Sequence, residues 1–142
     1  MRHCLDPDHV CRAAMIGETL AGWIGAQQSH GPKAWELHPL AVAPAFQRQG
    51  VGSALVADLE RLLTARGVVT LWLGTDDEDG STNLANVDLY VDVPARLAGA
   101  APRRDHPLAF YRRLGFTVTG VIPDASGYGR PDILMAKRLI TP

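Results

Sequence analysis

An anion-binding turn is predicted at residues 47–52, whose sequence is QRQGVG. A strand-like apolar segment precedes the turn at residues 35–42, and an amphipathic helix is predicted to follow at residues 51–65. The first turn of a helix has unpaired N–H groups and a partial positive charge, and glycine lets a phosphate approach the main chain closely. This order of elements points to a phosphate-bearing cofactor, although two glycines at a helix start also occur in purely structural turns.

Two titratable side chains, Glu36 and His38, lie two residues apart on the predicted strand and so share one of its faces. A carboxylate or an imidazole beside an amine can take up the proton of the amine, directly or through water. The alternatives are an ordinary surface carboxylate for Glu36 and, for His38, a histidine hydrogen-bonded near Pro39.

An acidic segment covers residues 67–95, which contain six carboxylates and no Lys, Arg or His, giving a formal charge of −6. Such blocks are usually solvated loops. However, Asp76 and Asp77 follow a strand predicted at residues 68–73, and the end of that strand should open on the same cleft as the end of strand 35–42. An acidic cleft attracts polycations through its field and by ion pairing. A solvated loop and a wall for a cationic ligand both remain open.

Hydrophobic patterning predicts the elements that would position these residues. Strands at residues 10–16 and 19–27 form a hairpin, and helix 51–65 has one apolar face and a stop at Gly67. Pro39 predicts a bulge or a splayed strand, because proline cannot donate to a ladder. The remaining predictions are a strand at 68–73 buried on both sides, a long loop with some helix at 75–105, a helix at 106–114 ended by Gly115, and strands at 116–122 and 133–140.

Composition and charge limit the other classes of function. A length of 142 residues predicts a single domain over residues 1–142, and 46% hydrophobic with 20% charged residues is typical of a folded protein. The net charge of −1 argues against nucleic-acid binding, and no apolar run approaches the ~18 residues of a membrane span. Residues 1–10 do not resemble a signal peptide. Cys4 and Cys11 form no CxxC metal pair, and a disulfide between them is not expected. A reduced, cytoplasmic protein without a metal is therefore expected.

The spacing of the glycines narrows the kind of cofactor. The turn does not follow Gly-x-Gly-x-x-Gly, and no Gly-Lys-Ser/Thr follows it, so dinucleotide and nucleoside triphosphate loops are poor fits. Gln47, Gly50 and Gly52 match Gln/Arg-x-x-Gly-x-Gly/Ala, and the turn therefore resembles the pyrophosphate loop of the GNAT acetyltransferase superfamily. A second segment at residues 110–116, FYRRLGF, is similar to a later helix-to-strand motif of that family.

The resemblance implies an α/β (α+β) GNAT fold, which is a mixed and mostly antiparallel sheet flanked by helices. Acetyl-CoA would be the acetyl donor, with its pyrophosphate on main-chain amides of the turn and its thioester carbonyl on main-chain N–H groups of Leu40 and Val42. Tyr111 would protonate the CoA thiolate as a general acid. Simple packing of these three side chains is the alternative. The implied cofactor contacts are Leu40, Ala41, Val42, Gln47, Arg48, Gln49, Gly50, Val51, Gly52, Ser53 and Tyr111.

Further segments resemble one branch of the family, the aminoglycoside 6′-N-acetyltransferases. These segments are residues 35–40, 73–77, 106–107, 131–133 and 135–137. The implied reaction is acetyl transfer to the 6′ amino group of an aminoglycoside, conferring resistance. A polyamine or peptide amine as acceptor, and a non-catalytic acyl-CoA-binding remnant, remain alternatives. The implied catalytic residues are Glu36, His38 and Tyr111, and the implied substrate contacts are Trp35, Glu36, Asp76, Asp77 and Asp132.

The beginning of the chain departs from the family pattern. GNAT proteins usually have a strand and two helices before the first hairpin, whereas this sequence reaches its predicted hairpin at residues 10–27 almost at once. Either the true start lies further upstream or the chain is naturally short, and the missing helices favour the remnant. A hairpin edge without its neighbouring strand favours pairing with another chain, so a homodimer is expected.

Overall fold

The computed structural model describes residues 6–142. The elements in chain order are β1 (His9–Ile16), β2 (Thr19–Gln28), β3 (Ala34–Val42), α1 (Val51–Ala65), β4 (Thr70–Asp76), α2 (Val93–Ala98), α3 (Pro107–Arg113), β5 (Thr117–Ile122) and β6 (Asp132–Arg138). The six strands are hydrogen-bonded in the order β1-β2-β3-β4-β6-β5. The ladders β1–β2, β2–β3 and β5–β6 are antiparallel and β3–β4 is parallel, which confirms the predicted mixed, mostly antiparallel sheet. The chain divides into two compact units, residues 6–72 with 138–142 and residues 73–137.

Helix α1, in the first unit, lies between two glycines with positive φ. Gly50 precedes the helix with φ 83°, and Gly67 follows it with φ 77°, a conformation that most other residues avoid. The helix packs against the β1–β2 hairpin. Its bounds are those predicted from the sequence, and its buried face consists of Leu55, Val56, Leu59 and Leu63.

The predicted irregularity at Pro39 is confirmed as a bulge in β3. The β2–β3 register shifts between Ile24 and Ala26, so that His38 and Pro39 together lie opposite Gly25. A Cβ atom on Gly25 would lie 2.8 Å from the His38 carbonyl oxygen, closer than such atoms approach. Glycine at this position therefore lets β2 pass close to the bulged strand.

Strand β4 differs from its prediction at both ends, since it runs over Thr70–Asp76 rather than residues 68–73. Val69 and Thr70 both donate their main-chain N–H to the carbonyl oxygen of Lys33. Val68 and Val69 therefore belong to the connection between α1 and β4 and not to the strand. Burial alternates along β4 instead of being continuous, with Leu71 and Leu73 buried. Trp72 is half-exposed, and its indole N–H donates to the Ser29 hydroxyl oxygen at 2.7 Å. The prediction of a strand buried on both sides is therefore wrong.

The irregular segment after β4 is tied together at its base. It contains helix α2, which agrees with the expectation of a long loop with some helix. The Asn83 side chain donates to the Gly99 carbonyl oxygen at 2.7 Å and accepts from the Ala101 N–H at 2.8 Å. An isolated antiparallel bridge joins Thr82 to Pro102 beside this clamp. The two ends of the segment are thus held to each other within the second unit.

Each unit has its own apolar core. In the first unit the core includes Ile24 and Leu37, and in the second it includes Leu108, Ile133 and Met135. Within residues 6–142, no helix combines the length and apolar character needed to cross a membrane. The prediction that Cys4 and Cys11 are reduced involves Cys4, which lies outside the described residues. Cys11 lies on β1 and is not a free thiol, so the expected reduced state is wrong for that residue.

Candidate cofactor loop and acceptor site

The predicted anion site lies at the N-terminus of α1. Gly50 is the N-cap residue, and no side chain caps the helix through it. The first turn of α1 contains no acidic residue, so the N–H groups of Val51, Gly52 and Ser53 meet no carboxylate from their own turn. Main-chain donors of this kind, together with the helix dipole, suit a phosphate group.

The side chains of the preceding loop have two different roles. The side-chain amide of Gln47 donates to the Val42 carbonyl oxygen at 3.1 Å, and that of Gln49 donates to the Ala45 carbonyl oxygen at 3.0 Å. These bonds tie the loop to the end of β3 and to a short 3-10 turn at Pro44–Phe46. Arg48 is exposed, with φ 58°. Gln47 and Gln49 therefore shape the loop, and Arg48 presents a charge at the surface.

Strand β3 continues beyond its ladder with β4. The parallel register joins Ala34–Glu36 of β3 to β4, whereas β3 extends to Val42. The edge of β3 that faced β4 at the start of the strand is therefore outside that ladder over residues 37–42. Leu40 and Val42 are half-buried and Ala41 is exposed. Main-chain groups on this edge of the extended strand are the kind that a ligand can pair with.

Glu36 and His38 share one face of β3, as predicted. Trp35 and Leu37 are buried on the opposite face, while Glu36 is half-buried and His38 is exposed. The Glu36 carboxylate accepts a hydrogen bond at 3.1 Å from the side-chain amide of Gln27 on β2. A carboxylate held in this way next to an exposed imidazole gives the first unit two proton acceptors on one surface.

Trp35 was predicted to contact substrate, but its side chain is in the core. Only 3% of the residue is exposed, and its indole N–H donates to the Pro32 carbonyl oxygen at 3.3 Å. The Arg66 guanidinium lies 5.8 Å from the centre of the ring. Trp35 thus supports the strand from behind and has little surface to offer a ligand, because the alternation of β3 turns it inward.

Asp77, in the second unit, is fully enclosed by its own loop, with 0% of the residue exposed. One carboxylate oxygen accepts from the N–H and hydroxyl of Ser81 at 2.7 and 3.3 Å, and the other from the N–H and hydroxyl of Thr82 at 2.9 and 2.5 Å. Burial acts to raise the pKa of Asp77, but the bonds from Thr82 and Ser81 outweigh it and hold the pKa below 3.8. The direct substrate contact predicted for Asp77 is therefore corrected, since every oxygen already serves the loop.

Asp76 is an exposed carboxylate and Asp132 a half-buried one, and they lie at neighbouring strand ends. Asp76 is exposed at the end of β4 and accepts from the Ser126 hydroxyl at 3.3 Å. The N–H of the next residue, Asp77, donates to the carbonyl oxygen of Pro131, which directly precedes Asp132. This main-chain bond joins the end of β4 that carries Asp76 to the start of β6 that carries Asp132.

Asp132 also explains a glycine in β4. A Cβ atom on Gly74 would lie 2.7 Å from one Asp132 carboxylate oxygen and 2.8 Å from the other. Asp132 is half-buried in this position. Gly74 thus lets the carboxylate lie flat against β4.

A cation from outside the acidic segment lies against it in the folded chain. The guanidinium of Arg104, which follows the segment in the chain, donates to the Asp79 carbonyl oxygen at 2.7 Å. Asp77 is buried, so the carboxylates of the segment that are exposed to a ligand are Asp76, Glu78, Asp79, Asp88 and Asp92.

Tyr111 lies on α3 in an aromatic environment. It is 8% exposed, and its ring meets Phe110 and Phe116 edge-on at centroid distances of 5.1 and 5.5 Å. Burial raises the pKa of Tyr111 from its ordinary 10.0 to about 12. The phenol therefore stays protonated throughout the physiological range and can donate a proton or a hydrogen bond.

His106 is a site residue whose role the sequence analysis missed. It is 5% exposed and caps α3 by accepting from the Leu108 N–H at Nδ1, 3.0 Å away. Because Nδ1 accepts, Nε2 carries the proton and donates to the Asp76 carbonyl oxygen at 2.9 Å. A histidine directly before Pro107 at a predicted helix start was the available signal.

The family assignment follows from comparison with known proteins. The Acetyltransferase (GNAT) family matches residues 2–91, more than half of the chain. The chain belongs to the GNAT family. Within the described residues of this GNAT chain, no group of three or more His, Cys, Asp or Glu side chains could hold a metal ion.

Solved GNAT structures resemble the chain over nearly its whole length. A crystal structure of an aminoglycoside 6′-N-acetyltransferase complexed with coenzyme A has a TM-score of 0.95 and 39% identity, covering 99% of this chain and 78% of that chain. The aminoglycoside 6′-N-acetyltransferase from Enterococcus faecium has a TM-score of 0.94 and 40% identity, with the same coverage.

Curated GNAT relatives match shorter stretches. An acetyltransferase of Photorhabdus laumondii is 32% identical over 77 residues, which are 54% of this chain and 52% of the relative. The [ribosomal protein bS18]-alanine N-acetyltransferase of Escherichia coli K12 is 46% identical over 54 residues, which are 38% of this chain and 34% of the relative. The chain thus spans about half the length of the first curated relative and about a third of the second.

Proposed function

We propose that the protein transfers an acetyl group from acetyl-CoA to the 6′ amino group of an aminoglycoside. The observation that carries this proposal is the likeness over 99% of the chain, at 39% identity, to an aminoglycoside 6′-N-acetyltransferase that binds coenzyme A. Resistance to the antibiotic and a cytoplasmic location are parts of the same proposal, because acetylation removes a cationic amine from the drug inside the cell.

The first unit would hold the donor. The N–H groups at the start of α1 would bind the pyrophosphate, with the Gln47 and Gln49 bonds keeping the loop in shape. Main-chain N–H groups on the free stretch of β3, at Leu40 and Val42, would bind the pantetheine and the thioester carbonyl. One such donor to a developing oxyanion contributes about 3 kcal/mol.

The acceptor amine must be neutral to attack, and the face of β3 supplies the base. Glu36 or His38 would remove the proton of the amine, directly or through a water molecule. A C–N bond then forms as the C–S bond breaks, and the electron pair leaves on the CoA sulfur. The products are the amide and the CoA thiol.

Tyr111 would stabilise the departing thiolate by hydrogen bonding. A simple thiol has a pKa of about 8.5, so complete proton transfer from a phenol of pKa about 12 would be uphill by about 5 kcal/mol. Donation of a hydrogen bond has no such cost. This refines the general-acid role implied by the resemblance, because the thiolate would take its proton from the acetylated ammonium or from solvent.

The second unit would attract the cationic acceptor through Asp76 and Asp132. Asp76 is exposed, Asp132 is half-buried with one carboxylate oxygen buried, and the two lie at neighbouring strand ends. An aminoglycoside carries several ammonium groups, and ion pairs with these carboxylates would orient it. Asp77 would act only by shaping the loop beside them.

A peptide amine is the second candidate acceptor. The local identity of 46% to an enzyme that acetylates the alanine of a ribosomal protein favours it. That match covers 38% of the chain, whereas the aminoglycoside enzymes match 99%, so the aminoglycoside is preferred. These two comparisons favour neither a polyamine acceptor nor a non-catalytic acyl-CoA-binding remnant.

Acetyl transfer can be tested with acceptors that differ at one atom. Neomycin has an amine at 6′, and paromomycin has a hydroxyl there. Purified protein with acetyl-CoA should release CoA thiol much faster with neomycin, and the product should gain one acetyl group by mass spectrometry. Faster release with an alanine-terminated peptide would favour the second candidate. Binding of CoA without thiol release from any amine, polyamines included, would favour the remnant.

A single domain over residues 1–142 and a homodimer complete the proposal. The family match at residues 2–91 includes parts of both units, which supports one domain. Strand β1 is at one end of the strand order, and exposed apolar side chains lie on its hairpin at Met15, Ile16, Leu20 and Trp23. Pairing through this edge would cover them. Sedimentation should show a dimer that Met15→Glu dissociates, and a wild-type monomer at all concentrations would contradict it.

A further inference from the structure

Three polar side chains form a row across the first three strands. In the sheet register His9 of β1 is the direct partner of Gln27 of β2, and Gln27 is the direct partner of Glu36 of β3. Direct cross-strand partners point to the same face of a sheet, which lets their side chains meet. His9 Nε2 lies 3.2 Å from Gln27 Oε1, and Gln27 Nε2 lies 3.1 Å from Glu36 Oε2.

The order of donors and acceptors along this row is fixed by chemistry. An ionised carboxylate only accepts hydrogen bonds, so Gln27 must turn its NH₂ group toward Glu36. The Gln27 carbonyl oxygen then faces His9, and His9 must donate from Nε2. His9 thereby holds the amide of Gln27 in the one orientation that supports the carboxylate. All three side chains are partly buried, which restricts competition by water.

We infer that Gln27, held by His9, is a positioning residue that aims the Glu36 carboxylate at the acceptor amine. This inference rests on the proposed function. Gln27 binds Oε2, which leaves the other oxygen of Glu36 to act on the amine. A base that is held in one orientation spends more of its time within reach of the proton that it removes. Gln27 and His9 would thus act through Glu36 and not on the acceptor or the cofactor themselves.

The test compares Gln27→Met, which keeps the length of the side chain but cannot hydrogen-bond, with Gln28→Met. Gln28 is the next residue of β2 and is paired with Trp35, outside the row. Gln27→Met should lower kcat about tenfold, the loss expected for one hydrogen bond to a charged group, with KM for neomycin within about twofold of wild type. Gln28→Met should leave both unchanged. An unchanged kcat in Gln27→Met would overturn the inference.

A double-mutant cycle with Glu36→Gln separates positioning from a general structural effect. If Gln27 acts through Glu36, Gln27→Met should cost no further activity once Glu36 has lost its charge. An equal tenfold loss in the Glu36→Gln background would overturn the inference. His9→Phe should reproduce about half or more of the Gln27→Met loss in kcat, since the side-chain amide of Gln27 can then rotate and exchange its NH₂ and carbonyl groups.

The row can also be examined without turnover. In ¹⁵N-labelled protein the two side-chain amide protons of Gln27 should be widely separated in chemical shift, and Glu36→Leu should collapse that separation. If wild-type protein acetylates no amine, the proposed function fails, and this measurement still decides the row. No change in the Gln27 amide signals on Glu36→Leu would contradict the positioning contact itself.

Discussion

The imidazole of His106 donates from Nε2 to the main-chain carbonyl oxygen of Asp76, 2.9 Å away. The same ring accepts the Leu108 N–H at Nδ1, so one buried side chain joins the end of β4 to the first turn of α3. Asp76 is a candidate acceptor contact, and α3 carries Tyr111. Both residues therefore depend on His106 for their position within the second unit.

Replacing His106 should therefore destabilise the second unit. His106→Ala leaves the Leu108 N–H and the buried carbonyl of Asp76 without partners, which should cost about 2 kcal/mol of unfolding free energy. His106→Asn, which can still cap α3, should recover about half of the loss. Urea unfolding monitored by circular dichroism measures both. A His106→Ala variant as stable as wild type would show that the two bonds contribute little.

Tyr111 should make stability fall at alkaline pH. An unfolded tyrosine loses its proton near 10, whereas burial holds the pKa of folded Tyr111 at about 12. Between these values the unfolded state binds fewer protons, so stability is full below pH 10 and falls by up to about 3 kcal/mol as pH rises to 12. Tyr111→Phe should remove this part of the fall between unfolding curves at pH 9 and pH 11. Tyr128→Phe, at an exposed position, is the control and should not.

Tyr111→Phe should also slow turnover while leaving the affinity for CoA nearly unchanged. The lost hydrogen bond to the thiolate exists only as the C–S bond breaks, so kcat should drop about 10- to 100-fold. Steady-state kinetics with neomycin and isothermal titration with CoA separate the two quantities. An unaltered kcat would remove Tyr111 from the reaction and leave it as an aromatic packing residue.

Asp76 and Asp77 are adjacent in sequence, but replacement by Asn should affect KM at Asp76 and stability at Asp77. Asp76→Asn removes an exposed charge, so KM for neomycin should rise several-fold with stability within about 0.5 kcal/mol of wild type. Asp77→Asn puts an NH₂ group against donors from Ser81 and Thr82, which should cost about 3 kcal/mol of stability. Thermal unfolding and steady-state kinetics on both variants decide this, and a KM effect in a fully stable Asp77→Asn protein would count against the assignment.

The pH dependence of Asp77 has the opposite sign to that of Tyr111. Hydrogen bonds from the loop hold its pKa below the ordinary 3.8 despite burial, so its contribution to stability is complete above pH 3.8 and is lost as pH falls through the folded value. Asp77→Asn should flatten the acid side of the stability curve. A wild-type and variant pair with parallel curves between pH 2 and pH 5 would contradict this.

Gly50 should matter to both the helix start and the cofactor. Gly50→Ala and Gly17→Ala both place a Cβ at positive φ, 83° and 62°, with no atom within 4 Å to clash, so each should cost about 1 kcal/mol of stability. Only Gly50→Ala should weaken CoA binding, because Gly17 lies in the hairpin turn. Equal CoA affinity in the two variants, measured by calorimetry, would argue against a phosphate at α1.

Much of the fold could be predicted because particular residues force it. Pro39 cannot donate to a ladder, so a bulge was expected there, and Gly67 favours the conformation that ends a helix. The extent of β4 was mistaken because an apolar run does not distinguish a strand from the connection before it. Pairing with the main chain of Lys33 decides where that connection ends, and this contact is 36 residues away in sequence from Val69.

The parts of the candidate site that use main-chain groups could be predicted from the sequence. The parts that require a side chain to be exposed could be predicted less well. The turn before α1 follows from its glycines. The sequence cannot distinguish Asp76 from Asp77, because one turns outward only after the loop has wrapped the other. The Gln27 and His9 contacts were not foreseen because cross-strand partners are set by register, which depends on the bulges at Ala21 and at Pro39.

The loop around Asp77 has a consequence for how the second unit meets a ligand. Its Ser81 and Thr82 amides are bonded to a buried carboxylate, so they should exchange with deuterium as slowly as amides within a strand. The segment becomes ordered when the chain folds, and no further ordering entropy opposes binding there. Discrimination among acceptors at this wall would then follow from a fixed shape, and changes in the residues beyond Thr82 could alter preference without loosening the wall itself.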